Sequence, residues 1–204
     1  MPQREARAEA IRRAKASLRD ALARSGEDPA ALCARLGLPE PGSGSCELDL
    51  FGRVARFYFP SLSLEYAEGG EPPQADQILL LRCLSYPGTL RPGGELVSFR
   101  SFSGGAFYWE PFRSRSSAPL LARYGSDPGA LRRALDRFTW TELPLGDFAA
   151  RILGLGPLYL TLVYDAPEEG FPAEINVLFE NAAVHAFGAE DAAAFASRIC
   201  LGLL

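Results

Sequence analysis

The sequence predicts an α+β domain, a mostly antiparallel sheet packed with helices behind an N-terminal helical segment. Two observations carry that class. Apolar residues recur at helical spacing through the first two dozen residues, and from Cys46 the period switches to two. Further apolar runs of strand length at 158–163 and 174–179 then alternate with helical stretches, the mixture expected of α+β rather than of a parallel α/β fold.

Each element follows from local chemistry. Residues 5–24 put Ile11, Ala14, Leu18, Ala21 and Leu22 on one face, with arginines (Arg4, Arg7, Arg12, Arg13, Arg19) and acids opposite, and Ser25-Gly26 ends that helix. Asp28-Pro29 starts a second helix with an N-cap acid and a first-turn proline, and Gly37 closes it. The Pro-, Gly- and Ser-rich tract 39–45 reads as a loop between an N-terminal helical segment, 1–38, and a main domain, 46–204, the whole forming a single globular unit. Leu48 and Leu50, then Val54, Phe57 and Phe59, predict a hairpin about Phe51-Gly52, with Leu62 and Leu64 continuing extended. A buried helix is expected through 77–84, stopped by Pro87-Gly88. A short strand spans 95–100, and one helix runs from Phe107 or Pro111 to Tyr124. A helix capped by Asp127 runs to Phe138, and a final helix covers 190–203.

Bulk properties exclude several classes. The apolar fraction of 48% and charged fraction of 23% are those of a folded globular chain. No apolar run approaches the roughly 20 residues of a membrane span, and the charged N-terminus has no signal-like apolar core, so a cytoplasmic location and no membrane partner are expected. Basic residues number twenty arginines and one lysine, consistent with codon bias as well as with anion recognition. Residues 139–204 hold two arginines against nine acids, a net of −7, which leaves +3 for residues 1–138 and −4 overall. That acidic third argues against nucleic-acid binding. Cys33, Cys46, Cys83 and Cys200 lack Cys-x-x-Cys spacing and His185 is the only histidine, so no metal site is expected and the thiols read as reduced.

The densest chemistry lies at 95–115, ELVSFRSFSGGAFYWEPFRSR, with six aromatics, three arginines and Gly104-Gly105. As a ligand site, Arg100 and Arg113 would grip an anion, Gly104 and Gly105 would present backbone donors, and Tyr108 and Trp109 would wall a flat ring. As core, the aromatics would be buried and the glycines would only permit a turn. The string is not a phosphate loop, because the lysine and following hydroxyl residue are missing. Asp165, Glu168, Glu169, Glu174, Asn176, Glu180 and Asn181 form an acidic turn without the spacing of a calcium loop. Glu110, Glu180 and His185 are acid–base candidates if the chain is an enzyme, but no catalytic signature is present and no catalytic residue or cofactor is assigned.

Three blocks together, QILLLRCL at 77–84, ELVSFRSFSGGAFYWEPFR at 95–113 and FPAEINVLFENAA at 171–183, resemble a prokaryotic domain-of-unknown-function family, DUF3786. The resemblance implies a compact domain common in anaerobes and sometimes joined to an iron–sulfur module, hence a possible iron–sulfur or redox-protein partner and a role near cofactor chemistry. Glu180 stands where relatives tend to carry aspartate. The expected function is a small-molecule or cofactor-binding accessory domain holding an anionic planar ligand near 95–115. A small acid–base enzyme in the same cleft, or a pure protein-interaction module, are the alternatives.

Overall fold

The computed structural model describes residues 2–204, with side chains described except at 2–4 and 7; Arg4 and Arg7 of the predicted basic face therefore lie outside the described side chains. The fold is α+β with antiparallel strand pairing. It divides into two compact units: the chain through Arg91 with Leu155–Pro157, and Pro92–Gly154 with Leu158–Leu204. Among the described residues no helix is long and apolar enough to cross a membrane.

In the first unit, helices α1 (Pro2–Ser25) and α2 (Pro29–Leu36) precede strands β1 (Ser45–Leu50), β2 (Arg53–Tyr58) and β3 (Ser63–Tyr66), and α3 (Gln74–Leu84) packs against α1. The caps of α2 are those its sequence predicts. Asp28 accepts the Ala31 N–H at 2.8 Å, Pro29 occupies the first turn, and Gly37 closes the helix in the left-handed region at φ 67°. Phe51 and Gly52, both at positive φ, turn β1 into β2 with Leu50 opposite Arg53. Strand alternation sends Ala55 and Phe57 inward and leaves Val54 half exposed, so Val54 is not part of the apolar face on which its sequence context had put it. α3 buries Leu79, Leu80, Leu81, Cys83 and Leu84 together with the polar Asp76 and Gln77, the multi-sided burial its continuous apolar run predicts.

Arg35 ties this unit together. Its guanidinium donates to both oxygens of Glu27, at 2.6 and 2.9 Å, and to the carbonyls of Tyr86 and Gly88 beyond α3. Lysine has neither the number of donors nor the planar fork for four such bonds. Arg35 also holds the Glu27 carboxyl below its usual value of 4.5, by hydrogen bonding first and charge second.

In the second unit, β4 (Leu96–Ser98) leads through a 3-10 turn at Phe99–Ser101 to α4 (Trp109–Arg115), α5 (Ser117–Tyr124) and α6 (Pro128–Ala134). Strands β5 (Trp140–Leu143), β6 (Phe148–Leu155), β7 (Leu158–Asp165) and β8 (Glu174–Glu180) follow, and helices α7 (Asn181–Ala186) and α8 (Ala189–Leu203) end the chain. The sheet order in this unit is β6-β7-β8-β4, with β5 also on β6. β8 places Ile175, Val177 and Phe179 in the core by alternation.

Three expectations need correction here. The single helix predicted to Tyr124 is two, broken at Ser116, where φ is −126° and ψ −89°. Pro119 explains the break. A continuous helix would need its missing N–H to bond the Arg115 carbonyl, whereas in the first turn of α5 no such bond is required. The strand expected at 95–100 shortens to three residues and tightens into the 3-10 turn, and the helix expected to Phe138 stops at Ala134 before a second 3-10 turn at Leu135–Arg137. β5 and β6 were not predicted at all. β6 reads FAARILGL, and its alanines and glycine are poor strand formers that become strand through the pairing of Ala149 and Ala150 with Leu143 and Glu142.

Replacing Arg35 by methionine strands the largely buried Glu27 and frees two carbonyls, and should cost about 3 kcal/mol, measured by urea unfolding at pH 7. Because the folded-state pKa of Glu27 is depressed, its contribution is present above about pH 4.5 and is lost as pH falls through the folded value, so the difference between wild type and Arg35→Met should shrink in acid.

Candidate functional site

The 95–115 segment divides its aromatics between core and surface. Phe99, Phe102 and Phe112 are buried. Phe99 stacks face to face on Phe112, with centroids 4.0 Å apart and planes 4° from parallel, and Phe102 meets the ring of Phe179 on β8 edge-on at 5.0 Å. Phe107 and Tyr108 stand out, 92% and 63% exposed, and Trp109 is half-buried.

The glycine pair serves the loop itself. Gly104 takes φ +80°, and a side chain at Gly105 would collide with the backbone carbonyl oxygen of Phe99. The Gly105 N–H donates to Phe102 O at 2.8 Å and the Phe107 N–H to Gly104 O at 3.1 Å. The Gly105 and Phe107 amides are thus engaged within the loop, so the structure does not turn them toward a ligand as the anion cradle requires.

α4 then sorts the remaining candidates by helical period. Tyr108, Phe112 and Arg115, spaced four and three apart, face a groove of about 800 Å³ between α4 and α8. Phe99 and Pro111 complete this side, and Ala189, Glu190, Ala193, Ala194 and Ser197 of α8 form the other. Trp109 and Arg113 face a smaller cleft of about 410 Å³, shared with the start of α5 and with Glu174 and Asn176 of β8. The Arg100 guanidinium lies 4.5 Å over the Trp109 ring, and Arg113 pairs with Glu110 at 3.4 Å. The six candidates therefore do not converge. Arg100, Trp109 and Arg113 gather on one side of α4, Tyr108 lies on the other, and Gly104 and Gly105 shape the loop before it.

The larger groove contains a cation that sequence reasoning passed over. Arg115 has no hydrogen bond or ion pair among the described residues. On α8, Ala193, expected on the helix's apolar stripe, lies with Ala189 and Ser197 at successive four-residue steps along the groove.

The acid–base candidates are dispersed. Glu110 is exposed on the side of the smaller cleft, and His185 is exposed on α7. Glu180 is 2% exposed at the end of β8, where its two oxygens accept from Arg151 Nε and from the Gly93 N–H. Arg151 is in turn stacked 3.5 Å over Tyr159 and held further toward its charged form, chiefly by its bond to Glu180. In the acidic turn, Glu168 and Phe171 exchange backbone bonds in a tight bridge. Among the described residues no group of three or more His, Cys, Asp or Glu side chains is disposed to hold a metal ion.

Fold and site together define an α+β domain in which a groove and a smaller cleft flank one short aromatic helix. The chain belongs to the family described as Domain of unknown function (DUF3786), whose model matches residues 28–201. No curated protein and no solved structure matches it.

Gly105→Ala should destabilise the fold by about 2–3 kcal/mol, because the obstacle is backbone and cannot rotate away. Thermal and urea unfolding read the effect; unchanged stability would contradict this role for Gly105.

Proposed function

We propose that the chain is a binding domain for a small, flat, anionic molecule held in the groove between α4 and α8. The observation that carries the reading is the pairing of an aromatic side with a cation that has no partner among the described residues. Tyr108 offers an exposed ring backed by the buried Phe99 and Phe112, and Arg115 stands at the same groove with no carboxylate partner among the described residues. A volume of about 800 Å³ is in the range of small-molecule sites, which are mostly apolar with few polar groups fixing orientation. Arg115 supplies bidentate recognition of a carboxylate, sulfonate or phosphate. Glu190, on the opposite wall, favours a ligand that also carries a hydrogen-bond donor.

None of Glu110, Glu180 and His185 lines this groove, which favours binding over acid–base catalysis there. The smaller cleft has its arginine already opposed by Glu110 and takes on a further carboxylate in Glu174, so it suits an anion less well.

The test is a fluorescence titration with 1-anilinonaphthalene-8-sulfonate, a planar aromatic anion, on the folded protein. Saturable one-to-one binding is expected, weakened about tenfold by Arg115→Ala, the loss of one charge-assisted contact, and abolished by Ala194→Trp, which fills the groove from an exposed position on α8. Binding indifferent to both substitutions but lost in Phe107→Ser would overturn the reading in favour of a surface docking patch.

A further inference from the structure

We propose that the open edge of β8 takes an extended peptide of alternating apolar and basic residues, added as a further strand in line with β4. β7 pairs with all of β8 along one edge, from Glu174 to Phe179, whereas β4 pairs only with Leu178, Phe179 and Glu180 along the other. Among the described residues no strand meets Glu174–Val177 on that second edge, and none of these residues makes a backbone hydrogen bond outside the sheet. Alternate residues of a strand turn their N–H and C=O groups to each side, so the stretch presents unpaired ladder groups.

The chain that could have covered this edge leaves it. β4 ends at Ser98, and the 3-10 turn that follows carries Phe99 into its stack on Phe112. The smaller cleft of about 410 Å³ lies beside the uncovered stretch. Three consecutive residues, Glu174, Ile175 and Asn176, line it although strand side chains alternate between faces, so the cleft meets β8 edge-on. β7 fills the opposite edge, which leaves the side of β4. Ser117 also lines the cleft; it is 8% exposed, and its hydroxyl has no hydrogen bond among the described residues.

The lining sets the chemistry of the added strand. Its main chain bonds to the edge, and its side chains go alternately to the two faces. Those beside the buried Ile175 meet Trp109, Ala118 and Leu121, which suits apolar residues. Those beside Glu174 and Asn176 lie on the other face, where Glu174 is exposed and has no ion pair among the described residues. Glu174 also stands opposite Asp165 of β7. Like charges opposite each other are destabilising, and a lysine or arginine on the added strand offsets them. Arg113, the cation lining the cleft, is opposed by Glu110 at 3.4 Å. A second copy of this chain pairing through the same edge would bring two Glu174 carboxylates to one ladder, which favours a basic peptide of another protein as the occupant. This site is separate from the groove between α4 and α8 and does not depend on it.

The test is an NMR titration of the isotope-labelled full chain with an acetylated, amidated octapeptide of alternating valine and lysine. Saturable shifts are expected in the amides of Ala173–Asn176 and in the Trp109 indole N–H. Glu174→Lys, a change at an exposed position, should weaken binding about fivefold and make the matching valine–glutamate peptide the better binder. Methylating the peptide's valine amides or its lysine amides should have opposite effects, one set abolishing the shifts and the other sparing them, because only alternate amides face β8. Equal effects of the two methylations, shifts confined to Tyr108 and Arg115, or no saturable shift up to the solubility of the peptide would overturn the proposal. Shifts in 173–176 that grow with protein concentration alone would overturn it too, by making a second copy the occupant.

Discussion

The stack of Phe99 on Phe112, braced against Phe179 of β8, is the contact on which the second unit's surface depends. α4 has only seven residues, too few to hold a helical conformation alone, so its stability must come from packing. Burying one such ring contributes about 1.5–3 kcal/mol, whereas the exposed Glu110–Arg113 pair along the same helix is worth about 0–1 kcal/mol. The rings therefore set the rotation of α4 and the ion pair merely decorates it. Once Phe112 points inward, the helical period sends Tyr108 and Arg115 to one side and Trp109 and Arg113 to the other. The same Phe99 also dictates residue 105, because its carbonyl occupies the space a side chain would need.

Arginine serves both units as a joint between elements. Arg35 spans a carboxylate and two carbonyls, and Arg151 spans the buried Glu180 and the face of Tyr159. Glu180 completes the second joint by accepting the Gly93 N–H ahead of β4. A buried ion pair carries a desolvation cost that its Coulomb attraction repays only when the remaining lone pairs are bonded. Glu180 meets that condition with Arg151 on one oxygen and a backbone amide on the other. The excess of arginine over lysine is compatible with codon bias, yet at Arg35 only a planar fork with several donors fits the partners, and at Arg151 the planar guanidinium both bonds Glu180 and stacks on Tyr159.

What was legible in the sequence follows the range of the forces involved. Asp28-Pro29 with Gly37, and Phe51-Gly52 between period-two runs, act within a few residues, and the elements they predict are present with those boundaries. β6 was invisible because nothing local favours an Ala-Ala strand; it is strand by virtue of its neighbours. The break at Ser116 was readable from Pro119, had the missing N–H been counted back four residues. The site was legible as a segment and not as a geometry. Seven residues of helix give too little periodicity to choose which aromatics face in, and the wall supplied by α8 lies some eighty residues further along the chain.

Core and ligand site were posed as alternatives for the aromatic segment, and burial of three of its rings beside a groove is compatible with both. A wall beside a groove must be rigid, and the buried stack of Phe99 on Phe112 gives the exposed Tyr108 a rigid base. Phe99 and Phe112 belong to the core and also line the groove, while Tyr108 and Arg115 reach it from exposed positions on the same helix. Changes at Phe112 therefore act on stability and on the groove together, whereas changes at Arg115 leave the packing intact and act on charge alone. That separation makes Arg115, more than any of the buried aromatics, the residue at which binding can be distinguished from folding.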